Sequence, residues 1–315
     1  MSKYGNDLPQ QNGDIFLTDS GLETFLYFDK GIDLPDFAVF PLLQKAEVRS
    51  ELIAYMERHI DIALDAGVGF ILETPTWRAN ADWGTKHGYN RDRLAEINRD
   101  SVELMQELVR NHETPQSKMV VSGNIGPRGD GYNPVALMTP DEAQAYHSEQ
   151  IVTFAEAGAD LVTALTITHV GEAVGITRAA QAADIPAVIS FTTETDGCIP
   201  EGKDLGAAIR DVDDLTNKGP AYYMINCAHP THFEGALAAG EEWITRLKGI
   251  RANASAKSHE ELDNSTELDR GDPIELGAQY RDLRDKFPHV TVLGGCCGTD
   301  HHHIECISAA CRIAA

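Results

Sequence analysis

An eight-stranded parallel α/β barrel, (β/α)8, is the fold this sequence predicts, on three observations. Eight short apolar runs alternate with longer amphipathic stretches along 315 residues, and strands alternating with helices imply a parallel sheet. Eight such units are the number that closes a barrel. No Pro/Ser-rich linker divides the chain, and one barrel runs to about 250 residues or more, so residues 1–315 read as a single domain. An open doubly wound sheet is the alternative architecture.

The units follow in order. Strand Ile15–Asp19 leads to helix Ser50–Ala66, where Leu52, Ile53, Met56, Ile60 and Leu64 form an apolar stripe at helical spacing. Strand Phe70–Glu73 leads to helix Arg91–Val109, striped by Leu94, Ile97, Leu104, Met105 and Leu108, with small Ser101 in the gap. Strand Met119–Asn124 precedes helix Asp141–Ala157. Its start, Thr139-Pro140-Asp141-Glu142, supplies an N-cap, a proline at the first helical position and early acids. Ala66-Gly67 and Ala157-Gly158 place glycine where a helix end turns left-handed. The remaining pairs are Leu161–Leu165 with Gly171–Ala183, Ala187–Phe191 with Asp204–Leu215, and Ala221–Asn226 with His232–Leu247. Ile250–Asn253 with Pro273–Phe287 and Thr291–Gly294 with Asp300–Ile313 complete the series. The charged stretch Ser255–Asp272 reads as a surface excursion with no function assigned.

Composition narrows the partners. Lys and Arg number 26 against 49 Asp and Glu, a net charge of −23. So acidic a surface repels phosphate backbones and anionic lipid, which argues against nucleic acid and membrane surfaces. No stretch reaches the length of an apolar membrane helix, and the polar start MSKYGNDLPQQNGD lacks a signal core. A cytoplasmic protein with reduced thiols is expected. Six cysteines are then too few for a disulfide scaffold, and some are candidates for a site. The oligomeric state stays open, a homo-oligomer included.

The strongest local signal is Leu293-Gly294-Gly295-Cys296-Cys297-Gly298-Thr299. Adjacent cysteines directly after an apolar strand sit among glycines that permit a tight turn. Cys227 ends another strand in Asn226-Cys227-Ala228-His229. In a parallel barrel the strand C-termini share one face, so three thiols converge there. Soft sulfur ligands suit Zn²⁺ at about 2.3 Å per bond, and three protein ligands leave one position open, as in a catalytic site. The helix after Gly298 points its positive end at the thiolates. The alternative is three small buried cysteines.

On these residues the chain resembles the zinc-dependent homocysteine S-methyltransferase family, which includes the betaine– and S-methylmethionine–homocysteine methyltransferases and the homocysteine domain of methionine synthase. The resemblance runs from about residue 14 to residue 310, through Thr18-Asp19-Ser20-Gly21-Leu22-Glu23-Thr24, Ile125-Gly126-Pro127, Phe191-Thr192, Asn226-Cys227 and Gly294-Gly295-Cys296-Cys297-Gly298. It implies a TIM barrel, Cys227, Cys296 and Cys297 as zinc ligands, and Asp19 at the amino-acid substrate. It implies methyl transfer to homocysteine, hence methionine formation. The family carries a glutamate for the substrate ammonium at the end of strand four, where this chain has Leu165. An unpartnered buried ammonium loses about 2–4 kcal/mol, roughly 30- to 1,000-fold in affinity. Glu23 and Glu73 are the candidate replacement carboxylates. Without a replacement, weak homocysteine use is expected, improved by Leu165→Glu.

The expected reaction moves a methyl group from an onium donor, such as S-methylmethionine or betaine, to a small-molecule thiol. A free thiol is only a few per cent thiolate at neutral pH. Zinc makes it nearly all thiolate, a gain of roughly 30-fold, and orientation of the donor supplies about 7–11 kcal/mol. Trp77, after strand two, offers a cation–π face to the donor or is a packed loop residue; Trp83 and Tyr132 share that ambiguity. Arg78 is a carboxylate partner or a solvated loop residue. Asn226 orients substrate or satisfies backbone groups. Thr193 and Glu194 end strand five on the site face.

His301, His302 and His303 diverge around a helix, so they read as surface rather than chelating residues. His229 reads as a loop residue, Cys306 and Cys311 as small core residues, and Cys198 as a loop thiol without a role. Two rivals remain. A zinc-dependent barrel hydrolase would want histidine and carboxylate ligands. A non-enzymatic zinc or thiol redox-sensing protein would need only the sulfurs.

Overall fold

The computed structural model describes residues 2–5, 7–134, 137–237, 241–265 and 267–311. Eight parallel strands close into a barrel in sequence order: β1 Phe16–Leu17, β2 Gly69–Glu73, β3 Met119–Ile125, β4 Leu161–Ile167, β5 Ala187–Phe191, β6 Tyr222–Asn226, β7 Leu247–Ala252 and β8 Val292–Gly295. Register locks the ring shut, with Phe16 opposite both Gly69 and Val292. The longer helices are α1 Ala46–Ala66, α2 Arg91–His112, α3 Pro140–Ala157, α4 Val170–Ala182, α5 Leu205–Thr216, α6 Pro273–Lys286 and α7 His301–Cys311.

Local chemistry sets the boundaries. The Thr139 side chain and Glu142 form a reciprocal capping box at the start of α3, with Pro140 in the first turn. α1 and α3 end on Gly67 and Gly158, both left-handed.

Alternation along each strand sorts its side chains. Phe16, Ile71, Val120, Leu161, Val188, Tyr222, Met224 and Val292 make one apolar cluster inside the barrel, joined by Leu8 from the N-terminal segment. Leu17, Phe70, Leu72, Val121 and Val162 belong to the second cluster, which packs under the helices. Each such fully buried side chain is worth about 1.5–3 kcal/mol. Two positions past the inner plug the strands turn polar: Glu73, Ser122, Thr163, Ser190, Asn226 and Arg251 are all buried. The barrel therefore has a dry, apolar bottom and a polar floor beneath its C-terminal mouth.

Among the described residues the expected helix His232–Leu247 does not form, and residues 238–240 lie outside the described ones. A four-residue helix, Pro230–Phe233, and two 3-10 turns, Glu234–Ala236 and Glu242–Arg246, take its place. Gly235 weakens a helix there by about 1 kcal/mol relative to Ala. Trp243 is pinned by packing instead: its indole fills the space over Gly206, where a Cβ would meet Nε1 at 2.5 Å. β7 consequently starts at Leu247 rather than Ile250. β1 is shorter than expected, although Thr18 and Asp19 still bond to β8 through Thr18 N–H to the Leu293 carbonyl at 2.9 Å and Gly295 N–H to the Asp19 carbonyl at 3.0 Å. The last helix is described to Cys311, and Arg312 and Ile313 lie outside the described residues. Among the described residues no helix is long and apolar enough to cross a membrane.

Candidate active site

A cavity of about 380 Å³ opens at the C-terminal ends of the strands. Asp19, Glu23, Glu73, Trp77, Asn226, Cys227, Cys296 and Cys297 all line it, as does Leu165.

The three sulfurs meet across β7. Cys227 follows β6 in a left-handed conformation (φ 54°), unusual outside glycine and turning the side chain inward. Three donors fix its carbonyl: Asn253 Nδ2 at 3.0 Å, His259 Nε2 at 2.7 Å and Thr192 Oγ1 at 3.5 Å. Cys296 and Cys297 follow β8 and are let in by glycine. A Cβ at Gly294 would strike Thr18 Oγ1 at 1.8 Å, and Gly298 takes φ 80°. The three Sγ atoms lie within 4.8 Å of one another and could hold a metal ion.

One expectation needs correction. Cys227 and Cys296, predicted as reduced thiols, are joined by a disulfide, with their Cα atoms 5.3 Å apart. The cause is proximity, since two strand ends flanking β7 deliver both sulfurs to one point. Cys297 Sγ stands 4.0 Å from Cys227 Sγ. Sulfurs bonded at about 2.3 Å to one tetrahedral ion sit roughly 3.8 Å apart, so this spacing fits a ligand pair. Reduction of the disulfide is required before all three can bind.

Asn226 satisfies backbone groups, one of its two expected roles. It accepts from the Thr166 N–H at 2.8 Å and from Ser190 Oγ at 2.6 Å, and its amide donates to Thr166 Oγ1 at 2.8 Å. Those bonds hold Thr166, a β-branched residue, at φ 63°. The amide also lies 3.9 Å from Cys296 Sγ.

Two acids and an ion pair set the electrostatics. Asp19 pairs with Arg251 Nη2 at 2.8 Å and accepts from Tyr55 OH at 3.3 Å. Burial works against the Arg251 charge, but Asp19 and Glu73 outweigh it and raise its pKa. Burial pushes the carboxyls of Glu73 and of half-buried Glu23 up to about 7.

A family model described as homocysteine S-methyltransferase matches residues 19–311. The chain belongs to the homocysteine S-methyltransferase family. It is a methyltransferase by that membership. No curated protein matches by sequence. Among solved structures, the homocysteine methyltransferase MmuM from Escherichia coli is similar in fold. Its oxidized form matches at 22% identity and TM-score 0.72, its metallated form at 20% and 0.67. Each comparison covers 94% of this chain and 96% of that one.

Within this family member, Leu165 puts an apolar side chain on the cavity wall where the resemblance implies glutamate. Its carbonyl accepts from Trp77 Nε1 at 3.2 Å. Trp77 lines the cavity, and the Arg78 guanidinium lies 4.9 Å from its ring and 4.0 Å from that of Trp83. Arg78 is thus stacked rather than solvated, held by its two tryptophan neighbours. Tyr132 packs at a tilt against His259, ring centroids 4.1 Å apart, and brings its hydroxyl 3.8 Å from Cys297 Sγ.

The excursion, expected on the surface with no function assigned, supplies a wall of the cavity through Ser255, His259, Leu262, Leu268 and Asp269. Of the histidine triplet, His303 is buried rather than on the surface. It joins Asp300 Oδ1 at 2.8 Å and the Arg270 carbonyl at 2.8 Å, tying the excursion to α7. His229 is also buried, and its side chain caps Pro230–Phe233. Glu194 contacts the cavity-wall residue His259 at 3.4 Å. Cys198 lies in a bridge with Asp204, and Cys306 and Cys311 lie on α7.

Sequence reasoning missed Arg251, Asn124 and His259. Arg251 had a signal, a lone charge inside the apolar run Gly249-Ile250-Arg251-Ala252 of a parallel strand.

Proposed function

We propose that this protein is a zinc-dependent S-methyltransferase that moves a methyl group from an onium donor to the thiol of homocysteine or a related amino thiol. The convergence of Cys227, Cys296 and Cys297 in one cavity carries this reading. These three would hold the ion once reduced. Zinc, when bound, supplies the Lewis acidity that favours a deprotonated thiol acceptor. The acceptor sulfur, its proton lost, attacks the donor methyl carbon. The carbon–onium bond breaks with its electron pair left on the donor, which departs neutral.

The chain's own residues prepare that step. The bonds from Asn253, His259 and Thr192 to the Cys227 carbonyl fix the sulfur it carries. Acids outnumber bases on the cavity wall, with Asp19, Glu23, Glu73, Asp130, Glu267 and Asp269 against Arg78, Arg251 and His259. That excess suits a cationic donor. Charge is neutralised during transfer, so an enclosed cavity favours the reaction. A chemistry that needs reduced thiols fits the cytoplasm.

The test is metal content and methyl transfer on one preparation. Reduced protein should carry about one zinc per chain and convert homocysteine to methionine, read by mass, with S-methylmethionine or betaine. Cys227→Ala should lose both. The Cys227–Cys296 disulfide favours a second reading, a thiol redox site. Thiols that cycle with oxidant in a protein that transfers no methyl group would select it.

A further inference from the structure

Several buried polar atoms of the cavity wall have no hydrogen-bond partner among the described residues. They include Glu73 Oε2, Arg251 Nη1 and Asn124 Oδ1. Glu73 and Arg251 are only 4% and 5% exposed. Buried polar groups are nearly always bonded, and an orphaned one needs an explanation. The two charges are not paired with each other, since the Arg251 ion pair is with Asp19. The rest of each side chain is held. Arg251 Nε donates to the Gly295 carbonyl at 3.2 Å, and Nη2 to that of Ser20 at 3.3 Å. The Ser122 and Thr163 hydroxyls support the Glu73 carboxylate from the barrel floor. Ser122 stands opposite Glu73 in the β2–β3 ladder, and Asn124 lies two positions further along the same strand.

A carboxylate and an amide oxygen on the adjacent strands β2 and β3, with an unfilled guanidinium N–H from β7 lining the same cavity, match a zwitterion. We propose that Glu73, Asn124 and Arg251 form the cradle for the α-amino-acid head of the acceptor. Glu73 and Asn124 accept from its ammonium, and Arg251 Nη1 donates to its carboxylate. The acceptor class is then an α-amino thiol rather than a simple thiol. Specificity for the amine is read from strand two rather than from strand four, where Leu165 is apolar. This deepens the methyl-transfer reading and rests on it.

The test separates binding from turnover. The reduced, zinc-loaded full chain is titrated by calorimetry with homocysteine, with γ-mercaptobutyrate, which lacks the amine, and with homocysteamine, which lacks the carboxylate. Homocysteine should bind at least about tenfold more tightly than either analogue. Glu73→Gln should erase the gap to γ-mercaptobutyrate and keep the gap to homocysteamine, with zinc content unchanged. The homocysteamine comparison probes Arg251 without mutating a residue that also holds Asp19. Equal binding of homocysteine and γ-mercaptobutyrate by the unmutated protein would overturn the cradle, as would a Glu73→Gln variant with its discrimination intact. Discrimination in binding without methyl transfer on the same sample would leave the cradle standing and reject the reaction.

Discussion

Glu73→Gln should change how stability responds to pH. Burial raises the Glu73 carboxyl from 4.5 to about 7, with the Arg251 charge and the Ser122 and Thr163 hydroxyls opposing the rise. Between those values the folded protein keeps a proton that the unfolded chain has released. Stability therefore falls as pH rises through that window. At about 1.36 kcal/mol per pH unit, the full shift is worth roughly 3 kcal/mol. Glutamine has no charge to bury, so the variant should escape that loss. Relative to the unmutated protein it should gain close to nothing near about pH 4.5 and about 1–3 kcal/mol near about pH 8. Thermal melts of both proteins without ligand measure this, with an expected difference of roughly 2–6 °C at the higher pH. A difference independent of pH would show that Glu73 ionises freely and that its cavity is wetter than its contacts imply.

Other substitutions test the site from different sides. Asn226→Ala removes the bonds that hold Thr166 left-handed and strands its buried N–H, so it should cost about 2–4 kcal/mol in unfolding measurements; a loss below about 0.5 kcal/mol would contradict the positioning role. Leu165→Glu in the Glu73→Gln background should recover at least about tenfold of the lost homocysteine affinity. No recovery by titration would mean that an acid on strand four cannot reach the amine.

Much of the barrel was legible because its signals are local. Strand periodicity, the Thr139 capping box and the glycines after α1 and α3 each act within a few residues. The helix expected over His232–Leu247 failed because Trp243 answers to Gly206, a partner distant in sequence. The excursion failed for a similar reason: its polarity described its outer face, while Leu262, Leu268 and His259 turn toward the cavity. The cysteines were legible because Gly-Gly-Cys-Cys-Gly has few other uses, yet no local pattern announces that Cys227 and Cys296 come close enough to bond. Arg251 and Asn124 emerge only when the barrel closes and the orphaned atoms can be seen to share one space.

Zinc-edge X-ray absorption on the reduced, zinc-loaded chain tests the sulfur set most directly. A zinc-dependent methyltransferase built on Cys227, Cys296 and Cys297 predicts three sulfurs at about 2.3 Å and one lighter neighbour. Added homocysteine should replace that neighbour with a fourth sulfur. A reduced chain that takes up no zinc, or holds it through nitrogen and oxygen alone, would contradict it.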